Sequence, residues 1–123
     1  MIEYKKLLIG ACFFLFAQSL SWYQTNGQFI STWVKEHPIL MSALTGIPVG
    51  LGYIYGTAYI VEAFGGKSLW ASRLIGFATG VFTFSILTYL HVKEGITLKT
   101  GIILALATTI VLLQVFWITE TDD

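Results

Sequence analysis

The chain is poor in charge, with one cysteine, two histidines and two prolines among 123 residues. Each shortage excludes something. Charged residues make up 11%, against about 25% in soluble domains, so a water-soluble globular domain is not expected. Seven basic and seven acidic side chains cancel, which leaves none of the cationic excess a nucleic-acid binder needs. A single cysteine closes no internal disulfide, and two histidines without partner cysteines form no recognisable zinc site. The sequence also lacks a nucleophile–base pair, a phosphate-cradling glycine loop and paired acids. Neither an enzyme nor a bound cofactor is therefore expected.

What the chain has is apolar length. Hydrophobic residues reach 55% and the mean hydropathy is +0.74. A helix crossing roughly 30 Å of hydrocarbon needs about 20 mostly apolar residues at 1.5 Å of rise each. Four stretches qualify, at about 7–29, 38–64, 69–91 and 98–118. No segment alternates apolar and polar residues as a barrel strand would. The expected fold is all-α: one transmembrane domain over 1–123, a four-helix bundle in the bilayer with both termini on one side.

The breaks are chemically plain. Gln24 to Gln28 and then Lys35-Glu36-His37-Pro38 supply polar groups and a proline suited to a helix's first turn. Gly65-Gly66-Lys67 is so short that helices two and three must be antiparallel neighbours, and HVKEGITLK, from His91 to Lys99, joins three to four. Trp22, Trp33, Trp70 and Trp117 all fall near span ends, where an indole buries its ring and keeps its N–H wet. Lys5-Lys6 before an apolar run imitates a signal peptide. Only Leu7 to Ala11 precede Cys12, however, and that is short against the ~7–15 apolar residues such a signal uses. The first segment is expected to stay as an anchor, with Cys12 a small packing residue.

Basic residues decide orientation poorly. Lys5, Lys6, Lys67 and Arg73 lie on one side, and Lys35, Lys93 and Lys99 on the other. The distribution fits a single orientation set by the first helix, and it also fits insertion both ways with pairing of inverted copies.

Lipid offers no hydrophobic drive between helices, so small residues and polar contacts must join them. Gly46-xxx-Gly50, Gly52-xxx-Gly56, Gly76-xxx-Gly80 and Gly101-xxx-Ala105 are candidate packing seams. On the second helix, Pro48, Gly52, Tyr55, Tyr59 and Glu62 project within about 80° of one another. That face reads either as a pathway wall or as a packing seam whose Glu62 reaches water or pairs with Arg73. Gln18 shares a face of the first helix with Ser21, Trp22 and Thr25 and must meet protein or a wet cavity. Threonines of the fourth helix are expected to bond to their own backbone, and His91 to be a solvated boundary residue. The candidate pathway residues are Gln18, Tyr55, Tyr59 and Glu62.

Two stretches carry a resemblance: FAQSLSWYQTNGQF, from Phe16 to Phe29, and KEGITLKTGIILALATTIVLLQVFW, from Lys93 to Trp117. With the four spans, they resemble the four-helix unit of the drug/metabolite transporter superfamily, particularly its short small-multidrug-resistance-type members. The resemblance implies a dimer, parallel or antiparallel, with helices one to three lining a pathway and helix four joining subunits. It also implies residence in the cell (inner) membrane and export of cationic or polar compounds. Such members couple export to protons through a glutamate in the first helix. Gln18 occupies the corresponding position here, and an amide exchanges no proton, so the usual coupling is not expected. The alternative expectation is a non-transporting membrane subunit or a holin-like pore former, since small-residue seams suit assembly as well as transport.

Overall fold

The computed structural model describes residues 2–95 and 97–116. It is built from helices: α1 (Tyr4–Asn26), a 3-10 turn (Gly27–Phe29), α2 (Thr32–Glu36), α3 (Pro38–Ala63), α4 (Leu69–Val92) and α5 (Leu98–Phe116). By length and composition, three helices suit a membrane crossing: α1 with its 3-10 extension, α3 and α4. At 26 and 24 residues, α3 and α4 rise about 39 and 36 Å, enough for roughly 30 Å of hydrocarbon with tilt. The fourth helix, Leu98–Phe116, is shorter. The four expected spans thus appear as three long helices and a shorter fourth. The expected end of the last span at Ile118, and the interfacial Trp117, lie outside the described residues.

Local chemistry sets the boundaries. Pro38 opens α3 at its first turn, where a missing N–H costs nothing. At the other end of α3, Gly66 N–H donates to Val61 at 2.8 Å and Gly65 N–H to Glu62 at 3.1 Å. This is the paired bonding of a Schellman cap, and it demands positive φ. Gly65 at +80° and Gly66 at +76° supply it. Ser68 then accepts the Ala71 N–H at 3.0 Å and caps α4. Lys93 closes α4 at φ +64°, and the Thr97 hydroxyl accepts the Thr100 N–H at 3.2 Å to start α5. The polar connection before α3 forms the five-residue α2, which the hydropathy pattern alone does not signal. It presents Trp33 beside an exposed Phe29 and Ile30.

Helix α1 sits between α3 and α4, and α5 leans on α4. The α1–α3 seam is the closest. A Cβ on Gly56 would lie 2.6 Å from the Phe14 ring, one on Gly52 would lie 2.9 Å from Ala17, and one on Gly10 would lie 2.8 Å from Ile60. Phe14, 2% exposed, fills the slot so made, and its other edge faces Gly76 of α4, where an added Cβ would lie 3.6 Å from the ring. Close approach of this kind replaces the hydrophobic drive that lipid removes. Phe14, Ile60, Ala71 and Ile75 form the core.

Polar bonds tie the other half of the bundle. Gln24 Nε2 donates to Thr45 Oγ1 at 2.7 Å, joining α1 to α3. Trp22 Nε1 donates to Thr88 Oγ1 at 3.0 Å, joining α1 to α4. Trp22 is therefore not a wet interfacial indole as its position suggested: it is buried, and its donor is satisfied by protein. Trp33 and Trp70 are exposed.

Candidate functional site

Two cavities meet at Gln18. The larger, about 770 Å³, runs along α4 from Leu69 to Ser85, which is about 24 Å of helix rise. Phe14 and Gln18 of α1, Tyr53 and Thr57 of α3, and Thr100 and Ile103 of α5 complete its walls. The smaller, about 170 Å³, shares Gln18, Gly80 and Phe84 with it and continues along Ser21, Thr25 and Asn26 to the end of α1. Amide and hydroxyl groups are thus spaced along the lining between apolar stretches such as Phe77, Val81 and Phe84. A volume of several hundred Å³ with a few placed polar groups is what small-molecule sites typically offer.

Gln18 is held by α4. Its Nε2 donates to the Gly76 carbonyl at 2.9 Å, and a Cβ on Gly80 would come within 3.0 to 3.1 Å of its amide atoms. The glycine pair Gly76 and Gly80 thus makes room for a side chain, where Gly52 and Gly56 make room for a helix. The same Gly76 carbonyl lies 3.0 Å from Thr79 Oγ1, whose one proton is shared with the Ile75 carbonyl at 2.9 Å. An interhelical hydrogen bond in lipid contributes about 0.6 kcal/mol on average. Such a bond is weak enough for a solute to replace.

The other sequence-selected residues lie elsewhere. Tyr55 and Tyr59 pack on Phe13, with ring centroids 5.7 and 5.8 Å apart, on the flank of α3 opposite Tyr53 and Thr57. There Tyr55 joins Cys12, Phe16, Pro48 and Leu51 around an apolar groove of about 650 Å³. Cys12 is exposed on this flank, so it is not the enclosed packing residue expected. Glu62 is exposed at the end of α3 and makes no ion pair with Arg73 among the described residues, where the ion pair is Lys6 with Glu3. The structure thus brings Gln18 into the cavities and places Tyr55, Tyr59 and Glu62 outside them. The partners that do face Gln18's cleft, Tyr53 and Thr57, sit four residues apart on α3 and one position beyond Gly52 and Gly56. That offset is the signal a glycine-seam projection carries for them.

On α5, Gly101 is half-buried and Ala105 faces outward, while Ala107 is the residue buried there. Thr108 and Thr109 donate to Leu104 and Ala105 of their own helix, at 3.0 and 2.9 Å. His91 is exposed yet partnered. Its Nε2 lies 2.7 Å from the Tyr23 hydroxyl and its ring stacks on Trp22.

Among the described residues no three His, Cys, Asp or Glu side chains gather as metal ligands. Neither cavity is lined by a carboxylate, and Arg73 is the one side chain with a fixed charge that lines them. The arrangement can hydrogen-bond a solute and attract negative charge. It holds no group at Gln18 that carries a proton.

Searches against protein-family models, curated proteins and solved structures found no match.

Proposed function

We propose that this chain is a small membrane transporter-like protein that passes a polar solute along the cavities meeting at Gln18. The carrying observation is that junction: polar side chains from Ser72 and Arg73 past Gln18 to Ser21 and Thr25 are spaced along an otherwise apolar lining, and the Gln18–Gly76 bond between α1 and α4 crosses it. Gln18 acts as the constriction, exchanging its bond to Gly76 for one to the solute. Tyr53, Thr57 and Ser85 offer hydroxyls on either side. The reaction is movement without covalent change. Because an amide replaces the ionisable group, proton exchange at this position is not part of the mechanism. Cationic solutes, expected from the family resemblance, find a guanidinium and no counter-charge in the lining, so neutral polar and anionic solutes are preferred.

A fourth crossing by α5, same-side termini and residence in the cell (inner) membrane belong to the same reading and are supported by the helix order and the resemblance. So does assembly with a second copy or a similar subunit. Gly46 and Gly50 of α3 have nothing within 4 Å of an added Cβ, which leaves backbone open to an approaching helix.

The test is uptake by liposomes holding the purified chain, with labelled glycerol, glucose, lactate, benzoate and tetraethylammonium. Uptake of a neutral or anionic member, lost in Gln18→Leu, is expected. Folded protein that moves none of them overturns the reading in favour of a non-transporting subunit. Release of a large trapped dye would assign a holin-like pore instead.

A further inference from the structure

We propose that the larger cavity binds an amphiphile with a single anionic head, a carboxylate or phosphate, seated at Arg73 and an apolar body lying along Phe77 and Phe84. The inference rests on reading that cavity as a ligand site.

Charge is the first support. Arg73 lines the cavity with an exposed side chain and makes no ion pair among the described residues, and no acidic residue occupies the first turn of α4. The half positive charge of a helix N-terminus fades beyond the first turn, and Arg73 is the fifth residue of α4, so the guanidinium itself is the charge an anion meets here. Glu62, the acid at this end of α3, does not relieve Arg73. An anionic head at the guanidinium supplies the missing charge and can take two parallel N–H donors. The Ser72 hydroxyl, also lining the cavity, adds a donor at that level.

Depth and texture exclude a compact anion as the best occupant. Arg73 stands four residues into α4, about 6 Å from its start, and the cavity continues to Ser85 through some 18 Å more of helix rise. Over that length α4 presents Phe77, Val81 and Phe84, with Ile103 opposite. Phe77 and Phe84 are about half exposed. A free phosphate would use Arg73 and leave this wall to lipid. A head at the interface with a chain directed into the bilayer uses both, and it lies as a membrane amphiphile already lies. The volume of about 770 Å³ is within the range of sites that enclose drug-sized molecules.

The full-length chain, in phosphatidylcholine nanodiscs, would be titrated with the fluorescent fatty acid cis-parinarate and competed with oleate, oleyl alcohol, phosphatidylglycerol and inorganic phosphate. Saturable binding displaced by oleate but not by oleyl alcohol or phosphate is expected. Arg73→Gln should weaken it at least about tenfold, as loss of a charge-assisted contact does. Arg73→Lys should restore most of it, and Glu62→Gln should leave it unchanged. Circular dichroism of each variant checks that the helices remain. Displacement by phosphatidylglycerol would support the proposal and identify a membrane lipid as the source of the head. Equal binding of oleate and oleyl alcohol, indifference to Arg73→Gln, or displacement by phosphate alone overturns it. Those failures would leave uptake through Gln18 standing, whereas loss of uptake with intact Arg73-dependent binding would overturn transport and keep the site.

Discussion

Gly56→Ala and Gly50→Ala form a matched pair on one helix. Both replace a glycine in α3 with the best helix former, and both gain up to about 1 kcal/mol of helix propensity. Only one has room. The new Cβ at Gly56 meets Phe14 ring carbons at 2.6 and 2.7 Å and the Gly10 carbonyl at 3.2 Å, whereas at Gly50 nothing lies within 4 Å. The Phe14 ring can give way only toward the cavity it lines, and the Gly10 carbonyl, as backbone, cannot turn aside. Overpacking of this kind costs about 1–3 kcal/mol. The propensity gain is common to both, so the difference between the variants isolates the packing cost. Reversible unfolding in mixed micelles, titrated with a denaturing detergent and followed by tryptophan fluorescence, measures it. Gly56→Ala should be less stable than Gly50→Ala by about 1–3 kcal/mol. Equal stabilities, or the reverse order, would refute the close α1–α3 seam on which the cavity walls depend.

Gln18→Leu should lower stability by only about 0.6 kcal/mol while abolishing solute uptake, and Gln18→Glu should turn uptake toward tetraethylammonium by placing a carboxylate where the cavities meet. In a double-mutant cycle, Trp22→Phe and Thr88→Val should show a coupling of about 0.6 kcal/mol, with a maximum near 1.7; additive effects would deny the Nε1–Oγ1 bond. Gly65→Ala should destabilise by about 1–2 kcal/mol, since φ there is +80° and a Cβ clashes in that region. Lys93→Gly, at φ +64°, should stabilise the same chain by up to about 1 kcal/mol in the same unfolding assay.

The long apolar helices and their breaks were legible, because both follow from hydropathy and turn chemistry, whereas the short α2 was not. Pro38, the Gly65-Gly66 pair and Ser68 each mark a boundary that the backbone obeys. The small-residue spacing also identified Gly52, Gly56, Gly76 and Gly80 before any contact was known. It did not say what each pair receives: Gly52 and Gly56 admit α1, and Gly76 and Gly80 admit the Phe14 ring and the Gln18 amide. The cavity-facing side of α3 was not legible for a physical reason. In lipid an aromatic side chain gains nothing by turning inward, so Tyr55 and Tyr59 could rest on Phe13 while Tyr53 and Thr57 took the cavity side. Trp22 misled because an indole near a span end satisfies its N–H equally well with water or with Thr88.

Water access to the cavities is the most direct test of a polar route within the bilayer. In a Cys12→Ala background, single cysteines at Thr57, Ser85 and Ser21 would be compared with cysteines at Ile47 and Ile54, which are 72% and 65% exposed on the outer surface of α3. The protein is reconstituted in liposomes and treated with a membrane-impermeant maleimide. Thiols at Thr57, Ser85 and Ser21 should react, and those at Ile47 and Ile54 should not. If Thr57 and Ser85 prove as unreactive as Ile47 and Ile54, no aqueous path reaches Gln18 and the account is contradicted.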